Sequence, residues 1–166
     1  MTIARMSRAA VWVLIAAAIL PVWAVRAQSN GAAVQAAIAV LGNPAKGPEM
    51  RISAARELAV LGRDSDSATG ALMAALANDL NPGVRSAAAA AIGYAAFPSA
   101  APIQALIQAL NTDTSLEVRL SAARALGIIG VDSASALQAL QSAAANDPAP
   151  QVRELAQMVA GRLGPN

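Results

Sequence analysis

From about residue 30 onward, apolar residues recur at three- and four-residue steps, and no window shows the alternation a strand requires. Ile103, Leu106 and Leu110 form one such stripe; Val118, Ala122, Leu126 and Ile129 form another. Between the stripes lie short runs rich in Asn, Asp, Pro and Gly: NPAKGP, NDLNPG, NTDTS and NDPAP. The pattern predicts helices joined by tight turns. Pro48, Pro82 and Pro150 share one column, at the first helical position, where a missing N–H costs nothing. Gly47, Asn81 and Ser115 precede that position as expected N-caps, with Ser115 supplying the cap where Leu116 replaces proline. Glycines at 62 and 130 end alternate helices, and the Asp and Ser residues that follow are expected to cap the next helix.

The helices are written four times over. Arg51, Arg85, Arg119 and Arg153 recur every 34 residues, each preceded by an apolar residue. Ala54, Ala88, Ala122 and Ala156 keep the same period, as do Ile38, Leu72, Leu106 and Leu140. A fixed period of this kind is the signature of a repeat array, whose single unit is too thin to bury a core alone. The units run over about 30–63, 64–97, 98–131 and 132–166, each a pair of helices. The chain is therefore expected to be all-α, with residues 28–166 as one repeat domain.

The three later units carry Asp-x4-Val-Arg-x2-Ala: Asp79, Arg85 and Ala88; Asp113, Arg119 and Ala122; Asp147, Arg153 and Ala156. With the run VRLSAARALGIIG at 118–130, this resembles a HEAT repeat of the PBS-lyase-type HEAT-like family. The resemblance covers nearly all of the chain beyond the N-terminal segment. It implies a short α-solenoid of antiparallel helix pairs, with the second helices on the concave side. It also implies that the Asp/Arg row ties the inter-helix turns together, a role for which carboxylate–guanidinium pairing is suited. Tetratricopeptide arrays share the period but want large aromatics where this chain has Ala, Leu and Gln. The first unit departs from the pattern with Ala45 in place of Asp, and the last with Gln157 and Ala160 in place of Ala and Leu or Ile.

Composition changes meaning once the N-terminus is set aside. The 166 residues are 56% hydrophobic and 2% aromatic, with a formal net charge of +2. Arg5 and Arg8 precede an apolar run from Ala9 to about Val25, and Val25-Arg26-Ala27 offers small residues at the exit. These are the three parts of a secretory signal peptide over residues 1–27, with cleavage between Ala27 and Gln28. A cut after Ala24 and a retained membrane anchor are the alternatives. Removing the segment takes away three arginines and both tryptophans, leaving nine basic residues against ten acidic. Tyr94 and Phe97 are then the only aromatics and no dense basic patch remains, so nucleic-acid binding is not expected. The protein is expected to be exported, to the periplasm or beyond the cell, and to meet a membrane only if the segment is retained.

The chemistry available is sparse. The chain has neither cysteine nor histidine, so thiol chemistry and the commonest general base are missing. No phosphate loop, dinucleotide fingerprint or nucleophile elbow is present. No catalytic, cofactor-binding or metal-ligating residue is assigned. The variable columns of the second helices carry Ile52, Arg56, Leu120 and Arg124, off the apolar stripe. That row is the candidate contact for a protein or peptide partner, and an ordinary solvated face is the competing reading. The expected role is a non-enzymatic scaffold for protein–protein interaction. A tethered accessory factor is the alternative, and a phycobilin-lyase-like protein a remote one.

Overall fold

A computed structural model of the chain describes residues 22–63, 65–95 and 99–164. The predicted signal segment therefore lies mostly outside the described residues. Among the described residues the structure is eight helices and no strand. We number them α1 (Val22–Leu41), α2 (Pro48–Leu61), α3 (Asp66–Asn78), α4 (Pro82–Ala95), α5 (Ala100–Thr112), α6 (Leu116–Ile129), α7 (Ala134–Asn146) and α8 (Pro150–Leu163). Helix α1 runs through the Ala27–Gln28 position, and the compact repeat array takes in the chain from Val34 onward. No described helix is long and apolar enough to cross a membrane.

Proline, where present, starts a second helix as its fixed φ favours: α2, α4 and α8 each begin on one. Two capping expectations need correction. Ser115 makes no side-chain cap; its backbone N–H donates instead to Asp113 Oδ1 at 2.8 Å, so the aspartate two residues upstream organises the turn. Ser99 likewise forms no side-chain cap on α5, whereas Ser65 and Ser133 accept from the N–H groups of Ala68 and Ala136. Asn81 caps α4 as expected, accepting from Gly83 at 2.9 Å and Val84 at 3.3 Å.

The helices pack in two layers. First helices (α3, α5, α7) lie beside one another, second helices (α2, α4, α6, α8) lie beside one another, and each first helix packs on the second helix of its own unit. One core runs through the array from Val34 to Ala160. Leu72, Leu106 and Leu140 fill it from the first layer, and Leu58, Ile92 and Leu126 from the second, all fully buried. Each such side chain contributes about 1.5–3 kcal/mol by leaving water. Alanine dominates the rest, with 45 in the chain. Ala88, Ala89, Ala122 and Ala123 are fully buried, so neighbouring helices meet nearly backbone to backbone while keeping the best helix former at the contact.

Glycine carries this close approach furthest. A Cβ on Gly93 would stand 3.0 Å from the Cα of Ala125 in the next unit, and one on Gly127 would stand 2.7 Å from Val159 Cγ1. Gly161, in the same column of the fourth unit, has nothing within 4 Å of that position among the described residues. Gly127→Ala is therefore expected to destabilise by about 1–3 kcal/mol, because fully buried Val159 must move. Gly161→Ala is expected to stabilise by about 0.5–1 kcal/mol through helix propensity alone. Thermal melts of both variants check this, and equal shifts would overturn the assigned contact.

Candidate functional site

The repeated aspartates and arginines form a ladder that crosses from unit to unit. Arg85 Nε donates to Asp113 Oδ2 at 2.7 Å and its Nη2 to Oδ1 at 2.9 Å. Arg119 clasps Asp147 through the same atoms at 2.9 and 3.1 Å. Each pair is bidentate, the geometry for which a planar guanidinium is suited. The third nitrogen works backwards along the chain: Arg85 Nη1 donates to the carbonyls of Asp79 and Leu80, and Arg119 Nη1 to those of Asp113 and Thr114. One arginine thus holds its own turn by Nη1 and the next unit's turn by Nε and Nη2.

Arg51 belongs to the same ladder, reaching Asp79 at 2.8 and 3.0 Å and the Lys46 carbonyl. The first unit has no aspartate of its own, so the Asp-x4-Val-Arg pattern does not place Arg51 in the expected ladder. Its place in the 34-residue arginine column was the available signal. Ala45 in turn has no upstream arginine in that column to answer. At the other end, Arg153 Nη1 donates to the carbonyls of Asp147 and Pro148, and no carboxylate among the described residues meets its remaining edge.

The aspartates are set by their own turns. Oδ1 of Asp79, Asp113 and Asp147 accepts from the N–H of the residue two further on, at 2.9, 2.8 and 2.8 Å. Side-chain exposure in the three pairs is between 5% and 15%, so the charges are largely withdrawn from water. Among the described residues no buried side-chain polar atom lacks a partner. Burial pushes the Asp79 carboxyl up, but the Arg51 hydrogen bonds, the Asn81 N–H and the nearby Arg51 and Arg85 charges outweigh it and hold it below its ordinary value. Asp113 is placed alike: burial raises it, and Arg85, the Ser115 N–H and Arg119 bring it below.

The candidate partner row lies on the outer surface of the second-helix layer. Ile52 and Leu120 are half-buried against the edge of the core, and Arg56 and Arg124 are exposed. The structure brings Ile52 and Arg56 together, and not with Leu120 and Arg124. They line a hollow of about 500 Å³ with Tyr94, Glu117 and a floor that includes Ala87 and Ala90. The second unit makes the hollow by carrying small residues. Gly83, Ser86 and Ala90 stand where the units on either side carry Glu49 and Glu117, Ile52 and Leu120, Arg56 and Arg124. Ser86 and Ser121 share a 2.8 Å hydrogen bond between α4 and α6 beside the hollow. Sequence reasoning does not single out Tyr94 or Glu117; Tyr94, the one tyrosine of the chain, is 62% exposed.

Layered, period-locked helix pairs joined by a polar ladder define an α-solenoid. A family profile described as HEAT repeats matches residues 69–161, and the chain belongs to the HEAT repeat family. The comparison with curated proteins returns no match.

The two depressed aspartates give the ladder a pH signature. Unfolded chain binds protons on these carboxyls at a higher pH than folded chain does, so their contribution is complete above about pH 5 and is lost as pH falls below about 4. Melting temperature is expected to fall in that acid window. Asp79→Asn with Asp113→Asn should melt lower at neutral pH and lose less on acidification. An unchanged acid slope in the double variant would show that these carboxylates do not carry the effect.

Proposed function

We infer that this protein is an exported, non-enzymatic scaffold whose second-helix layer, the concave side in this reading, docks a protein partner. HEAT repeats commonly mediate protein–protein interaction, which supports the general role. The observation that carries the specific reading is the hollow over the second unit. Small residues there leave room for an inserted side chain, and Ile52 and Tyr94 offer apolar walls with Arg56 and Glu117 as charged neighbours. Such a recess with an aromatic at its margin suits an anchor residue of a partner, around which polar contacts set register. Export rests on the basic head, apolar middle and small-residue exit of residues 1–27.

Site-specific photocrosslinking tests the docking face. A benzophenone amino acid in place of Tyr94 is expected to capture a discrete partner from the exported fraction. The same group in place of exposed Gln104, on the first-helix layer, should not. Arg56→Glu with Arg124→Glu should suppress the product while leaving the melt unchanged. Equal capture from both positions, or capture indifferent to the charge reversals, would overturn the reading. Gln28 as the first residue of the purified mature protein is the result expected for export, and an intact N-terminus would favour a membrane tether instead.

A further inference from the structure

Three arginines of the ladder hold a carboxylate, and the fourth is held in the same posture without one among the described residues. Arg153 Nη1 donates to the carbonyls of Asp147 and Pro148 at 2.8 and 3.2 Å. Arg85 and Arg119 anchor Nη1 on the corresponding carbonyls of their own turns, at 3.0 and 3.4 Å and at 3.0 and 3.3 Å. In those two units the Nε/Nη2 edge then grips an aspartate from the following unit. The same anchoring presents the same edge of Arg153 on the outward side of the last described unit. The binding geometry is thus shown three times within the chain, and each time the ligand is an aspartate in a turn that follows a helix.

A second observation concerns the space beside it. Gly93 seats Ala125 and Ile128 of the next unit, and Gly127 seats Val159 and Arg162, whereas Gly161 is open. The same side of α8, about two turns beyond Arg153, therefore meets no neighbour among the described residues. The chemistry of the face has changed, however. Gln157 is exposed where Ala89 and Ala123 are fully buried, and exposed Gln141 replaces half-buried Ile107. An occupant must meet amides here rather than a dry core, which suits a partner that comes and goes. A second copy of this chain in solenoid register does not fit: its corresponding turn offers Ala45, with no carboxylate, and would lay Glu57 on Gly161 in the column of Ala125 and Val159.

We propose that the Nε/Nη2 edge of Arg153 is a binding site for a turn aspartate of a helical protein partner, which docks along the outward face of α8. The site lies apart from the hollow over the second unit and stands independently of it. Because a bidentate charged pair confers specificity as well as affinity, lysine in place of Arg153 does not reproduce the site.

The probe is a peptide of residues 134–152, blocked at both ends, whose one carboxylate is Asp147. It is titrated into the full chain while the arginine Nε–H signals are followed by NMR. The Arg153 signal is expected to move toward the positions of Arg85 and Arg119, with those two unmoved. The Asp147→Asn peptide should bind roughly tenfold more weakly, and Arg153→Lys in the chain should lose the binding by the same measure. No movement of Arg153 at millimolar peptide, or equal movement with the Asn peptide, would overturn the site. Equal movement with the same concentration of acetate would overturn the requirement for a turn. Movement that follows the chain's own concentration without peptide would replace the partner with a second copy. If Arg153→Lys fails to fold, the comparison of Asp and Asn peptides decides alone.

Discussion

The bidentate clasp between an arginine and the aspartate of the following unit is the contact on which the array's register depends. Apolar packing between alanine-rich helices is strong in sum but poorly specific, since one small side chain slides past another at little cost. The clasp is directional: Arg119 reaches Asp147 with two hydrogen bonds and its own turn with two more. A slip or rotation of one unit would leave both charges largely buried and unpaired, which is severely unfavourable. The ladder thereby turns a slippery interface into one with a defined offset, and the glycines and alanines then bring the helices close.

This division of labour explains the departures at the ends. An aspartate is useful only where an arginine precedes it, and the first unit has Ala45 instead. Buried alanines give way to Glu57 at one end and Gln157 at the other, both in columns whose inner members are fully or almost fully buried. No neighbouring unit covers these two residues among the described residues, and a polar side chain suits a face that meets water. Arg153 is the exception, keeping its anchoring while presenting its clasping edge outward. The second unit makes the complementary choice on the outer surface of its second helix, where loss of side-chain volume produces the hollow beside Tyr94.

Most of the fold was legible in the sequence because a period of 34 residues is repeated in many columns at once. The stripe of Val118, Ala122, Leu126 and Ile129 is buried as the spacing implied. Capping was less legible: Ser115 has the right residue type, but Asp113 holds the turn first. That outcome depends on where the aspartate is pulled by an arginine of another unit, which no local window contains. Arg51 was visible as a column member, yet its partner was not, because pairing with the next turn rather than its own is decided by the carbonyls that occupy Nη1. The hollow was missed for a related reason. Ser86 and Ala90 stand in the variable columns of Ile52 and Arg56, but with Gly83 they become a recess only when the side-chain volumes of neighbouring units are compared in place.

The direction of the ladder is tested most directly by double-mutant cycles on melting stability. Arg119→Ala and Asp147→Asn are combined in one cycle, Arg153→Ala and Asp147→Asn in another, with Arg124→Ala as an exposed control. The expected coupling is about 1–3 kcal/mol between Arg119 and Asp147, and clearly smaller between Arg153 and Asp147, whose hydrogen bond is to the backbone carbonyl that the Asn variant keeps and whose charge acts only through space. Coupling to Arg153 that equals or exceeds coupling to Arg119, or additivity in both cycles, would contradict an array held in register by clasps between units.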